Sequence, residues 1–150
     1  MYTKALLIAL FAATAQAFTT SQTSFFVTQR QTTTTSLEAV KDITNEADFD
    51  KTVQGAGGAL VIVDYSTTWC GPCKVIAPKF EELSEKYSDA IFLKVIGDAS
   101  PAASKLMKRE GVRSVPSFHY FVNGEKIDVV NGANAEAIEA AITKHVHSAA

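Results

Sequence analysis

The stretch Leu60-Val61-Ile62-Val63-Asp64-Tyr65-Ser66-Thr67-Thr68-Trp69-Cys70-Gly71-Pro72-Cys73-Lys74 decides how the rest of the chain is read. Leu60 to Val63 is an unbroken apolar run, suited to a central strand covered on both faces. It leads into the only two cysteines of the 150-residue chain, separated by two residues. A C-x-x-C pair between a buried strand and a helix puts Cys70 at the helix N-terminus, where free backbone N–H groups and the helix dipole stabilise a thiolate. Cys73 follows one turn later, close enough to displace a partner bound to Cys70 and close an intramolecular disulfide. The expectation is a two-electron dithiol/disulfide switch with Cys70 as nucleophile and Cys73 as resolving thiol. Zinc is a poor reading, because four ligands are needed and His119, His145 and His147 lie at no finger spacing. A structural staple is equally poor, since closing so short a loop removes little unfolded-state entropy.

Working outward, the flanks alternate between strand and helix patterns. Ile76, Phe80, Leu83 and Tyr87 form the stripe of a helix laid on a sheet, with Pro78 expected to kink it. A second buried strand is expected over Ile91 to Ile96, then a helix capped by Ser100-Pro101, with Ala103, Leu106 and Met107 inward and Gly111 at its end. Upstream, Ala39 to Ile43 reads as an edge strand. Thr44 or Asn45 then caps a helix running to about Gln54, ended by Gly55-Ala56-Gly57-Gly58. Near the C-terminus Phe118, Tyr120 and Val122 alternate, Asn123-Gly124 makes a hairpin turn, and Ile127 to Val130 returns antiparallel. Asn134 caps a last helix with Ile138, Ile142 and Val146 on one face. The class is α/β, one domain over residues 37–150, with a central mixed sheet and no internal repeat.

Hydrophobic residues make up 47% of the chain and charged residues 20%, which excludes wholesale disorder and fibrous repeats. The chain carries a net charge of −2, and the 12 basic and 16 acidic residues beyond residue 36 leave the domain mildly acidic. That balance does not recommend a nucleic acid partner. Residues 1–17 have the parts of a signal peptide: Lys4, the apolar run Ala5 to Ala13, and Ala15-Gln16-Ala17 before a cut at Phe18. The run falls short of the roughly 20 residues that span a bilayer, so no membrane segment is expected in the mature form. Residues 18–36 hold eight Thr, three Ser, one Arg and no acid, the composition of a transit peptide. The two segments together resemble the bipartite presequence of proteins imported into the plastids of algae with secondary plastids. Plastid delivery is favoured; a signal peptide followed by a flexible linker, leading to the secretory pathway, is the alternative.

The run Val63 to Lys74, with Pro78, Lys94, Val115-Pro116, Asn123-Gly124 and Gly132, resembles the thioredoxin family over roughly residues 39 to 146. The resemblance implies the thioredoxin fold and a protein disulfide reductase that needs no metal or bound organic cofactor. It also implies a separate reductase as electron source and target proteins with regulatory disulfides as partners; a monomer is expected.

By strand position alone, Asp64 is either buried with a raised tendency to hold its proton, or solvated at the strand's end. The resemblance assigns it as general base for Cys73, with Lys94 as its electrostatic partner. It also places Pro116 as a cis-proline, leaving the Val115 backbone to pair with an extended target chain. Trp69, Gly71, Pro72, Val115, Gly132 and Ala133 then form a shallow apolar collar suited to proteins. Gly71-Pro72 resembles the reducing members more than oxidases or isomerases.

Lys74 to Phe80, Leu83 to Tyr87 and Phe92 to Lys94 look most like f-type plastid thioredoxins, which favours a ferredoxin-dependent reductase. In two places the sequence departs from relatives: Ser66 stands where many carry a second tryptophan, and Gly97 where plant f-types carry a third cysteine. Lys105, Lys108, Arg109 and Arg113 form a basic cluster, either a solvated helix face or a steering patch for acidic partners. His119 reads as a sheet residue, and His145-Val146-His147 as a frayed helix end. Rival readings are a secretory oxidase or isomerase, and a non-catalytic binding subunit on the same fold.

Overall fold

The computed structural model describes residues 39–146. Residues 1–17 and 18–36, expected to be a signal peptide and a transit-like segment, and His147 lie outside these residues. The described elements are β1 (Val40–Asp42), α1 (Glu46–Gly55), β2 (Val61–Ser66), α2 (Gly71–Lys86), β3 (Ile91–Ile96), α3 (Pro101–Arg109), β4 (Ser117–Val122), β5 (Glu125–Asn131) and α4 (Ala135–Val146). Side-chain caps open three helices as the sequence leads one to expect. Asn45 accepts from the Asp48 amide at 2.9 Å, Ser100 from Ala103 at 3.0 Å, and Asn134 from Ala137 at 3.1 Å.

The sheet runs β1-β3-β2-β4-β5, with β1 and β2 parallel to β3, and β4 antiparallel to both β2 and β5. It is mixed, and helices cover both faces. Phe49 and Val53 of α1 pack with Ala103 and Leu106 of α3 against Val61, Val63 and Tyr65. On the opposite face Ile76, Phe80 and Leu83 of α2 pack with Ile138 and Ile142 of α4 against Ile62, Phe118 and Tyr120. Among the described residues no helix is long and apolar enough to cross a membrane.

Several expectations need correction. β4 does not alternate between buried and exposed positions: Ser117 to Phe121 are all buried, because both faces of this central strand are covered. His119 is accordingly a sheet residue, its ring 4.6 Å from that of Tyr65. His145 is not a frayed end. It is 8% exposed and its Nε2 lies 2.8 Å from Asp128 Oδ2 on β5, which anchors the end of α4 to the sheet. Met107 is half-buried but turned inward as expected, packed against the core beside Gly97, and Pro78 lies within the single helix α2.

Candidate active site

Cys70 is the N-cap of α2 in extended conformation, and its Sγ accepts from the Cys73 amide at 3.2 Å. That amide is one of the donors left unpaired at a helix start, so the fold aims partial positive charge at the first sulfur. No acidic residue stands in the first turn of α2 to oppose it. Cys70 and Cys73 are joined as a disulfide with their Cα atoms 5.3 Å apart. Both residues are buried, at 3% and 5% exposure, so exposure does not distinguish the two. Position does: Cys70 caps the helix, whereas Cys73 faces inward onto a cleft.

That cleft, about 170 Å³ and open to solvent at one side, is lined by Cys73, Asp64, Lys94, Ser66, Thr67 and Ala77 among others. Asp64 and Lys94 are register partners on the adjacent strands β2 and β3, so their side chains leave the sheet on the same face. Asp64 is 1% exposed, and neither carboxylate oxygen has a hydrogen-bond partner among the described residues. Burial pushes its carboxyl up to about 7, against a smaller downward pull from Lys94. The solvated alternative for Asp64 is thus set aside: the strand end is roofed by α2.

The peptide bond Val115-Pro116 is cis, with Pro116 buried and Val115 half-buried. Ser117 pairs with Tyr65, which brings Pro116 level with the end of β2 from which the Cys70 turn departs. The Gly132 amide donates to Pro116 O at 2.9 Å. Gly132 holds φ at +89°, a conformation that disfavours any side chain. Trp69 is 74% exposed, and Gly71, Pro72 and Ala133 are exposed as well. Exposed Val75 adds apolar surface beside the motif that the sequence reading did not include.

Two of the four residues of the basic cluster are paired with acids. Lys105 pairs with Glu46 at 2.7 Å and Arg109 with Asp50 at 2.7 Å, which ties α3 to α1, and Arg109 also pairs with its neighbour Glu110 at 3.0 Å. Sequence reasoning also missed Asp98, which accepts from the Thr68 amide at 2.9 Å. No local pattern announces that contact, because it spans 30 residues of chain.

A redox-active cysteine pair at a helix start, with a buried carboxyl behind it, defines a thiol–disulfide oxidoreductase on an α/β scaffold. The family model described as thioredoxin matches residues 40–144. Human thioredoxin is 44% identical over 108 residues, covering 71% of this chain and 99% of the human protein. Thioredoxin f from spinach chloroplast, in its short form, superposes with a TM-score of 0.66 at 37% identity, covering 71% of this chain and 92% of that one. A thioredoxin f2 solved in complex with ferredoxin:thioredoxin reductase gives a TM-score of 0.65 at 40% identity, covering 70% and 93%. The chain belongs to the thioredoxin family and is a protein-disulfide oxidoreductase. The likeness reaches the family and stops short of the subtype, since the human protein matches no less well than the f-types.

Proposed function

We propose that the protein reduces regulatory disulfides of target proteins in a plastid. The Cys70 thiolate attacks one sulfur of the target disulfide, a mixed disulfide forms, and the other target sulfur leaves as a thiolate and takes up a proton. Cys73 then gives its proton to Asp64, and its thiolate attacks the Cys70 sulfur. The second target sulfur is released and protonated, the target has gained two electrons and two protons, and Cys70–Cys73 has become the disulfide. A separate reductase returns the two electrons.

The observation that carries this reading is the cleft shared by Cys73 and Asp64, in which burial holds the carboxyl at about 7. A base titrating there is matched to taking and returning a proton near neutral pH. Lys94, on the facing strand, supplies the positive charge that keeps Asp64 from rising further. Val115, Gly132 and Ala133 with Trp69, Gly71 and Pro72 serve as the docking collar for an extended target segment. The plastid reading draws support from the presequence composition and from the likeness to a thioredoxin f2 caught with a ferredoxin-dependent reductase.

The test has two arms. Cys70→Ser abolishes reductant-driven cleavage of a protein disulfide; cleavage that persists in that variant refutes the catalytic assignment. Reduction of Cys70–Cys73 is then timed with a ferredoxin-dependent and an NADPH-dependent thioredoxin reductase. Faster reduction by the ferredoxin enzyme supports the plastid role, and preference for the NADPH enzyme removes it while leaving the disulfide reductase intact.

A further inference from the structure

The turn that carries Trp69 and Cys70 is tied to the end of β3. Asp98 Oδ1 accepts from the Thr68 amide at 2.9 Å, and Oδ2 accepts from the Thr68 hydroxyl. Beside this contact the Gly97 amide donates to Ser66 O at 2.9 Å. Gly97 is held in turn from the α3 side. A Cβ placed on it would lie 1.7 Å from the Met107 sulfur, so the thioether fills the space that a side chain there would take. The end of β3 is therefore a packed post, and Asp98 is the acceptor mounted on it.

On the far side of the same turn the Cys70 amide donates to Thr67 O at 3.2 Å. The backbone is thus held at Ser66, at Thr68 and at Cys70, while the Trp69 side chain between the last two stands 74% exposed. A large, rigid indole beside a nucleophile is an efficient docking group if its place is set before the partner arrives. A freed turn would have to be ordered on binding, at a cost in affinity.

We infer that Asp98 is a positioning residue for target recognition: by holding Thr68 it fixes where Trp69 stands relative to the Cys70–Cys73 pair, so that a protein substrate meets a preset surface. Asp98 acts through Thr68. The inference rests on the reading of this site as a protein-disulfide reductase.

Trp69 is the only tryptophan in the chain, so its fluorescence reports the position of the turn directly. The experiment compares the full-length protein with its Asp98→Ala and Asp98→Asn variants. It measures Trp69 anisotropy in the disulfide form, and kcat and KM for reduction of insulin with a reductase as electron source. Asp98→Ala lowers the anisotropy and raises KM about fivefold, the scale of one exposed charge-assisted hydrogen bond, while kcat moves far less. Asp98→Asn retains an amide oxygen able to accept from the Thr68 amide, and recovers most of both signals. Unchanged anisotropy and KM in Asp98→Ala overturn the inference, even if that variant melts earlier. An Asp98→Asn variant as impaired as Asp98→Ala overturns it too, because charge and not the bond would then matter. Failure of the unsubstituted protein to reduce insulin is a separate result, and counts against the reductase reading itself.

Discussion

Asp64→Asn keeps the shape of a buried side chain and removes its ability to ionise, and burial of the carboxyl sets the direction and the pH range of the effect. In the folded protein the Asp64 carboxyl is raised from 3.8 to about 7, chiefly by burial. At about 1.4 kcal/mol per pH unit, that displacement makes ionising the buried group cost up to about 4 kcal/mol. The folded state keeps a proton that the unfolded chain releases, so the parent protein loses stability as pH rises from about 4 to about 7, with the full loss present above that. The variant has no such slope. Guanidinium titrations of the two disulfide forms at pH 4, 6 and 8 should show the variant's advantage growing by up to about 4 kcal/mol across that range. On the proposed role of Asp64 as proton acceptor for Cys73, the same substitution should slow resolution of a trapped mixed disulfide by about a hundredfold or more. Stability curves that stay parallel between pH 4 and 8 would refute the argument, since they would mean that Asp64 titrates alike in the folded and unfolded chains.

Asp128→Ala removes the acceptor of His145 and leaves a buried ring without its partner, so the protein should lose about 1–2 kcal/mol in a denaturant titration at pH 7. Asp128 is held below 3.8, mainly by that bond, so its contribution is present above that pH and fades as pH falls through the lowered value; the two titrations should converge in acid. Gly97→Ala forces Met107 aside and should cost about 1–2 kcal/mol, with less lost when Met107→Ala is already in place. A double-mutant cycle showing no coupling between these positions would count against the packing described.

Features that depend on a residue and its near neighbours in sequence were legible. Asn45, Ser100 and Asn134 cap helices because each side chain answers an amide three residues ahead, and Cys70 opens α2 for the same reason. Features that depend on what a distant element lays over a residue were not. Strand position alone leaves Asp64 either buried or solvated; only the resemblance points to burial beside Lys94, and α2 closing over the end of β2 with the β2–β3 register supplies the physical reason. His145 sits beside the stripe of Ile138, Ile142 and Val146, and only the return of β5 supplies Asp128 to bury it against. The alternation of Phe118, Tyr120 and Val122 hid Ser117, His119 and Phe121, which are buried on the opposite face of the sheet. Arg109 reads as part of a solvated helix face or a steering patch until α1 supplies Asp50.

Successive residues of β2 face opposite sides of the sheet. Asp64 looks into the cleft under Cys73, whereas its neighbours Val63 and Tyr65 enter the layer packed by α1 and α3. The sheet therefore works as a bulkhead between two compartments. Drift in the α1/α3 compartment can retune how much heat or denaturant the molecule withstands without altering the dielectric around the thiols. Drift in the α2/α4 compartment near the cleft can retune reactivity with the opposite layer left in place. The far compartment can therefore change durability at a distance from the thiols, whereas in the near one Asp64 couples the two, since the burial that raises its carboxyl also costs stability.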